Sequence, residues 1–545
     1  MGRGCGAAWF VGLWLAAAPA LATEPGQDAA LGIPVPGEPA PFSLRGTTEV
    51  KEAASVLDLP PPDLPAVPPV AEALKPADPV RTGSLGELLL PTPVEVVLTA
   101  GDFVSGAIEN RLADDKGIWP RRLPKADREA IAAFYAAREQ RPLWLASTEW
   151  NAGASAVIRR LELAAEEGLD PADYRPLAIG PGGEGQSPAE LAEAELKLSA
   201  AVALYARDAR GGRLNPARLS GMLTPTLELP GAGEVLARLA AAEDPGAELE
   251  AYNPSHPGYV ALKRKLAEYR ANRPATAPMV RRKRGIELTT QSVAILNDAP
   301  VTPPRGAYAN PRLEGDLIAN MERWRWLPSE LGERYVSVNI PEYRLRLFEG
   351  GHVAHETRVI VGKTDTQTPV FSGLIVYAVV NPSWYVPPSI LKKEFLPKMA
   401  EDPNYAARQG YQVVRRGNSI SIRQPPGERN ALGFIKFMFP NGHAVYLHDT
   451  PNRRLFSTTR RAYSHGCVRV ENPFLLADFV LGSEWSEQRL KKLIGRGERT
   501  IFLPQKLPVH LTYFTLSVDA HGELKSFDDL YGHDNRIRRA LGLNG

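Results

Sequence analysis

Cysteine is nearly missing from this chain. There are two in 545 residues, Cys5 and Cys467. A disulfide framework is therefore excluded. Net charge is missing too, since 64 Lys and Arg against 62 Asp and Glu leave only +2. Without a basic excess, no nucleic-acid partner is expected. The short cluster Arg281-Arg282-Lys283-Arg284 reads as a solvated linker. Beyond the N-terminus, no apolar run approaches the roughly 20 residues that a membrane span needs.

What is present begins with a secretory pattern. Arg3 precedes the apolar stretch Ala7 to Ala18, and Ala20-Leu21-Ala22 is a small-x-small cleavage site. Cleavage would start the mature chain at Thr23. Cys5 lies before the apolar stretch, so lipid attachment at a cleavage-point cysteine is not expected. Removal of 1–22 would leave Cys467 as the one thiol. In an oxidising compartment a lone thiol is a liability unless it has work to do.

The rest divides by composition. Residues 23–97 are rich in Pro, Ala, Glu and Gly, with Pro60-Pro61-Pro62 and Pro68-Pro69, and read as a disordered tether. Residues 98–275 are helical in pattern, with Ile131, Phe134 and Tyr135 at helical spacing and an Ala/Leu-rich run from Glu190 to Arg207. No titratable cluster there suggests catalysis, so a scaffold is expected. Residues 276–332 read as a linker. From 333 to 503 the period changes to two: Val336, Val338 and Ile340, then Leu345 and Leu347, then a turn at Glu349-Gly350-Gly351. A polar, Pro/Gly-rich interruption, 384–432, includes an expected helix from Ser389 to Met399 and has the size of a lid over a catalytic sheet. A hairpin and tail, 504–545, close the chain.

Cys467 stands in Ser464-His465-Gly466-Cys467-Val468-Arg469. A cysteine attacks carbonyls as the thiolate, and its ordinary pKa of about 8.5 calls for a base or a positive environment. Three histidines are near in sequence: His443, His448 and His465. His448 ends an expected strand, 444–447. If the Cys467 segment is extended, His465 points to the same side as the sulfur. Gly466 would permit a tight backbone whose amides face a substrate oxygen, an oxyanion hole worth about 3 kcal/mol per donor. Arg469 could favour the thiolate or bind a carboxylate. The residues alone leave His448 and His465 open as the base. Zinc is not expected, because the His and Cys spacing fits none of the usual patterns. A papain-like protease is disfavoured by the short-range order of His before Cys.

Tyr446-Leu447-His448-Asp449-Thr450, followed by Ser464-His465-Gly466-Cys467-Val468-Arg469-Val470, resembles the active-site signature of the YkuD-type L,D-transpeptidases. The resemblance runs from about 300 to 530. It takes in Met321-Glu322-Arg323-Trp324-Arg325-Trp326-Leu327-Pro328, the approach Ala431 to Phe437, and the tail from Leu511 to Gly532. Phe134-Tyr135 and Arg141-Pro142-Leu143-Trp144 are similar to the start of the helical scaffold in the large Gram-negative branch. The implied fold is multidomain: a mainly-β catalytic domain with a lid-like insertion, preceded by an α-helical scaffold domain and a disordered Pro-rich tether. That branch often has a peptidoglycan-binding module before the catalytic domain, whose repeat is not recognisable in 276–332.

The resemblance implies roles. Cys467 is the nucleophile and His448 the proton acceptor and donor. Ser464, His465 and Gly466 shape the site and its oxyanion hole, and Tyr446 and Arg469 bind substrate. No metal and no cofactor are implied. The partners implied are peptidoglycan stem peptides, carbapenem-class β-lactams as inhibitors, and periplasmic cell-wall proteins met through the scaffold. The implied reaction joins two diaminopimelate residues in a 3→3 cross-link and releases D-alanine. The alternatives are an L,D-carboxypeptidase and a non-catalytic wall-binding protein.

Overall fold

The computed structural model describes residues 100–179, 186–272, 312–416 and 419–543. The expected signal, tether and basic cluster, and most of the 276–332 segment, lie outside these residues.

The first half is helical: α1 (Ala100–Ala113), α2 (Lys125–Ala137), α3 (Ala152–Glu162), α4 (Pro188–Gly211), α5 (Pro216–Leu219), α6 (Ala232–Ala241), α7 (Pro245–Glu250) and α8 (Pro257–Ala271). α4 starts at a capping box, with the Ser187 and Glu190 side chains each bonding the other's backbone N–H. Its Ala/Leu-rich sequence is apolar almost all round, and a helix of that kind belongs at the centre. It is buried along its length, with Tyr135, Trp144 and Tyr174 in the same core. Carboxylates lie inside as well: Glu195 accepts from the Tyr135 hydroxyl at 2.6 Å and from the Leu143 and Trp144 amides at 2.6 and 3.0 Å.

The segment expected to be a linker ends in an ordered helix, α9 (Leu313–Trp324). Leu317, Ile318 and Met321 pack against Tyr259, Leu262 and Leu266 of α8 and against Leu516. The Asn320 side-chain carbonyl accepts from the Thr515 and Leu516 amides. α9 therefore fastens the helical half to the C-terminal region. Its apolar face has four-residue spacing that was lost among Glu, Asp and Arg neighbours.

The second half is a closed sheet. Its strands are β1 (Arg334–Asn339), β2 (Arg344–Glu349), β3 (His352–Gly362), β4 (Phe371–Val380), β5 (Ile435–Met438), β6 (Leu447–His448), β7 (Ala462–Ser464), β8 (Val468–Val470) and β9 (Arg499–Thr512). They run β7-β3-β8-β6-β5-β4-β9-β1-β2, and β2 pairs back onto β3. Eight strands thus form a ring, with β7 appended. Val336, Val338, Leu345 and Leu347 point inward and are fully buried, as the period-two pattern requires. β9 crosses the expected boundary at 503/504 and pairs with both β4 and β1. The tail is thus part of the ring. It goes on to a hairpin (Leu516–Val518 with Leu524–Ser526) and a helix (His533–Leu541).

The 384–432 insertion has its own three-stranded sheet, Trp384–Tyr385, Ser419–Gln424 and Gln412–Arg416 in that order, plus helical turns from Pro388 to Glu401. Phe395, Trp384 and Tyr411 stack edge-on inside it. The Asn430 side chain ties its root by donating to the Pro382 and Pro425 carbonyls. The two halves of the chain also meet directly. Leu223, after α5, pairs in parallel with Val370, supported by Thr224 N–H to Val370 O at 3.0 Å and Val370 N–H to Met222 O at 2.7 Å.

Candidate active site

β6 and β8 are only two and three residues long, and they pair in parallel. Leu447 faces Val468 and His448 faces Arg469. On the other side of β6, His448 faces Lys436 of β5. Directly opposed residues share a face of the sheet, so Lys436, His448 and Arg469 form one row. Tyr446 and Cys467, each two residues earlier, extend that face, and Val468 N–H donates to Tyr446 O at 3.1 Å. The register therefore brings together four residues singled out from sequence: Tyr446, His448, Cys467 and Arg469.

His448 Nδ1 is hydrogen-bonded to the backbone carbonyl of Asp449. A carbonyl only accepts, so Nδ1 carries the proton and Nε2 is the basic nitrogen of the neutral ring. The ring lies 5.7 Å from that of Tyr446. Asp449 holds this strand end in place. Its carboxylate accepts from Phe434 N–H at 2.9 Å and Thr450 N–H at 2.7 Å and pairs with Arg453. Burial pushes its pKa up, against the pull of Arg453 and the two amides. Gly433 has φ +58°, and a Cβ there would sit inside the Asp449 carboxyl group.

The Cys467 sulfur accepts from Tyr446 N–H at 3.3 Å and donates toward Ala444 O at 3.6 Å. Ala444 has φ +62°, a conformation that costs a non-glycine residue about 1 kcal/mol or more. Asn441 sustains it: its side chain accepts from the His443 and Val445 amides and donates to the Phe439 and Val445 carbonyls.

The segment leading to Cys467 is a turn, unlike the extended form expected. Gly466 has φ +125°, outside the range comfortable for a side chain. Ser464 Oγ accepts from Gly466 N–H at 3.1 Å and donates to Cys467 O at 2.5 Å. That use of the Gly466 amide keeps it from facing a substrate oxygen in this conformation. Thr368 Oγ1 donates to Gly466 O at 2.7 Å, and Tyr531 from the tail donates to Gly362 O and accepts from Thr368 N–H.

The turn also sends His465 away from the sulfur's row. Its Nε2 meets Glu394 Oε1 of the insertion at 3.0 Å. Cys467 is 0% exposed, His448 1%, Tyr446 2% and Arg469 3%. In this conformation a substrate cannot reach the sulfur. Two residues of the site were missed by sequence reasoning. Glu394 is remote in sequence, and nothing local marks it. Lys436 could have been found, since a lysine at the centre of the apolar strand Ile435–Met438 is anomalous. Its Nζ lies 5.6 Å over the Tyr446 ring, and burial lowers its pKa against the raising effects of Glu498 and Cys467.

Residues 333–499 match the model of the L,D-transpeptidase catalytic domain. The chain carries an L,D-transpeptidase catalytic domain. Residues 129–266 match a domain described as a scaffold domain, so this L,D-transpeptidase domain follows a helical scaffold. A Haemophilus influenzae protein with a provisional L,D-transpeptidase assignment is 36% identical over 244 residues, 41% of this chain. The match spans 49% of that relative, about half its length. Among solved structures, a mutant L,D-transpeptidase of Enterococcus faecium is 14% identical over 33% of this chain and 50% of that one, with a TM-score of 0.16. An L,D-transpeptidase of Mycobacterium smegmatis is 12% identical over 33% and 58%, with a TM-score of 0.17.

Proposed function

We propose that the chain is a periplasmic peptidoglycan L,D-transpeptidase that forms 3→3 cross-links between diaminopimelate residues of stem peptides through an acyl-enzyme on Cys467. The observation that carries this reading is the row of β6 and β8. It sets a cysteine sulfur that accepts a backbone N–H beside a histidine whose proton sits on Nδ1.

His448 Nε2 takes the thiol proton. Loss of that proton ends the donation toward Ala444 O, while the bond from Tyr446 N–H to the sulfur strengthens. Lys436 and Arg469 add positive charge on the same face. The sulfur attacks the diaminopimelate carbonyl at the L,D bond of a tetrapeptide stem. D-Alanine leaves with the proton returned by His448. The side-chain amine of a second stem then attacks the thioester, giving its proton to His448, and Cys467 is regenerated. Ser464 and Gly466 hold the turn, and Tyr446 and Arg469 line the approach. Access requires the insertion to move as a lid. The same thiolate would open a carbapenem ring and keep the adduct.

The test is to incubate the mature chain with disaccharide-tetrapeptide and follow D-alanine and dimers by mass spectrometry. Dimers from wild type and none from Cys467→Ala are expected. Undiminished dimer from Cys467→Ala overturns the reading, and D-alanine without dimer converts it to an L,D-carboxypeptidase. Carbapenem mass added at Cys467 is the companion result.

A further inference from the structure

A polar cavity lies in the helical half, lined by residues between Arg122 and Leu229. Its volume is about 470 Å³, inside the roughly 300–1,000 Å³ of ordinary ligand sites. Three guanidinium groups line it, Arg122, Arg207 and Arg213, with a single carboxylate, Asp208. Asp208 is already engaged by Arg122 and by the Tyr174 hydroxyl at 2.7 Å. Arg207 has Asp127 at 3.2 Å. Arg213 is left short. Its side chain is 10% exposed, Asp173 lies 3.6 Å away, beyond hydrogen-bond length, and its charge also acts on the buried Glu322 and Asp208 carboxylates. Asp173 is shared with Arg122. The Arg213 Nε is buried with no hydrogen-bond partner.

A second buried donor lies behind that wall and lines the neighbouring cavity. Trp326 Nε1 has no acceptor, and it sits behind Gly212, where an added Cβ would come within 3.0 Å of it. Glu322 is on that side too, but Leu214 N–H already takes its carboxylate, and burial pushes its pKa up. Buried donors that lack acceptors are costly. What the Arg213 guanidinium suits is an anion with two oxygens in a plane.

The cavity is wired to the nucleophile. Thr224 lines it, and Thr224 Oγ1 meets His443 Nε2 at 2.6 Å. The next residue, Ala444, touches the Cys467 sulfur.

We propose that this cavity is a carboxylate-binding subsite for the acceptor, a carboxylate-bearing stem peptide, held by Arg213. The assignment of the ligand as an acceptor stem rests on the transpeptidase reading. The experiment measures binding of disaccharide-tripeptide to the full chain carrying Cys467→Ala by titration calorimetry. Arg213→Gln weakens binding at least fivefold, added salt weakens it further, and Ala217→Trp, which narrows the cavity from an exposed position without removing any charge, weakens it as well. Should Arg213→Gln fail to fold, the Ala217→Trp result decides. Unchanged affinity in the folded variants, or no binding by the parent, overturns the proposal. Carbapenem adduct formation on the chain with Cys467 intact tests the nucleophile separately, so failure of one reading is not mistaken for failure of the other.

Discussion

The ring and the insertion that interrupts it are built by opposite means. The ring holds Cys467 and His448 through strand register, a closed circuit of backbone hydrogen bonds and side chains with no exposure. The insertion has short strands and an aromatic cluster that joins the ring's core, and it meets the site through a partly exposed pair, His465 with Glu394. Reacting groups need placement to a fraction of an ångström, which rigid elements supply. Access needs an element whose attachment costs little to undo. In the proposed mechanism the chemistry belongs to the first and the gate to the second.

This contrast can be attacked from both sides. On the ring, His448→Gln removes the proposed proton acceptor while keeping a polar side chain, and should slow carbapenem acylation of Cys467 by about 10²–10⁴-fold. A loss under tenfold would mean another group accepts the proton. Next is Gly433→Ala, which forces a side chain into the Asp449 carboxyl at φ +58°. It should lower stability by about 2 kcal/mol or more, read as a drop in the denaturation midpoint. No shift would show that the Asp449 support is dispensable.

A smaller effect concerns the tail. Burial, helped by Arg323 and Arg536, lowers the His533 pKa to about 3 from an ordinary value of 6.5. Above 6.5 the ring is neutral folded or unfolded and adds no pH dependence. Between 6.5 and 3 the unfolded chain takes a proton that the folded chain refuses. Stability should therefore fall as pH falls through that window, by up to about 1.4 kcal/mol per pH unit. His533→Phe should flatten that part of the stability curve, and an unchanged slope would assign it to other groups. The smallest effect is on the insertion. Glu394→Gln weakens a partly exposed pair worth about 0.2–1 kcal/mol. If that pair latches the insertion, acylation should speed up by about two- to fivefold. Slower acylation would make Glu394 part of the chemistry.

The ring's strands were visible in sequence because inward Val and Leu alternate with outward Arg, Ser and Glu in β1 and β2. The nucleophile was visible because the residues that shape its turn are its neighbours. What stayed hidden depends on contacts far along the chain. The strand expected over 444–447 shrinks to Leu447–His448, and only its pairing with β8 places His448 beside Arg469. The partner of His465 comes from a helical turn with no motif of its own. α9 was hidden by its charged residues, several of which turn inward: Arg323 is buried against Asp534. The boundary at 503/504 fell inside β9 because a Pro-Gln-Lys bulge in the strand looks like a domain edge.

Tyr531 has a further consequence. Its hydroxyl joins Gly362 to Thr368, and Thr368 in turn holds Gly466. The ribosome makes Tyr531 long after it has made Cys467. Until then the nascent chain has a thiol but not the braced turn that presents it. The turn that carries Cys467 is thus braced by a residue that lies later in the chain than the cysteine itself.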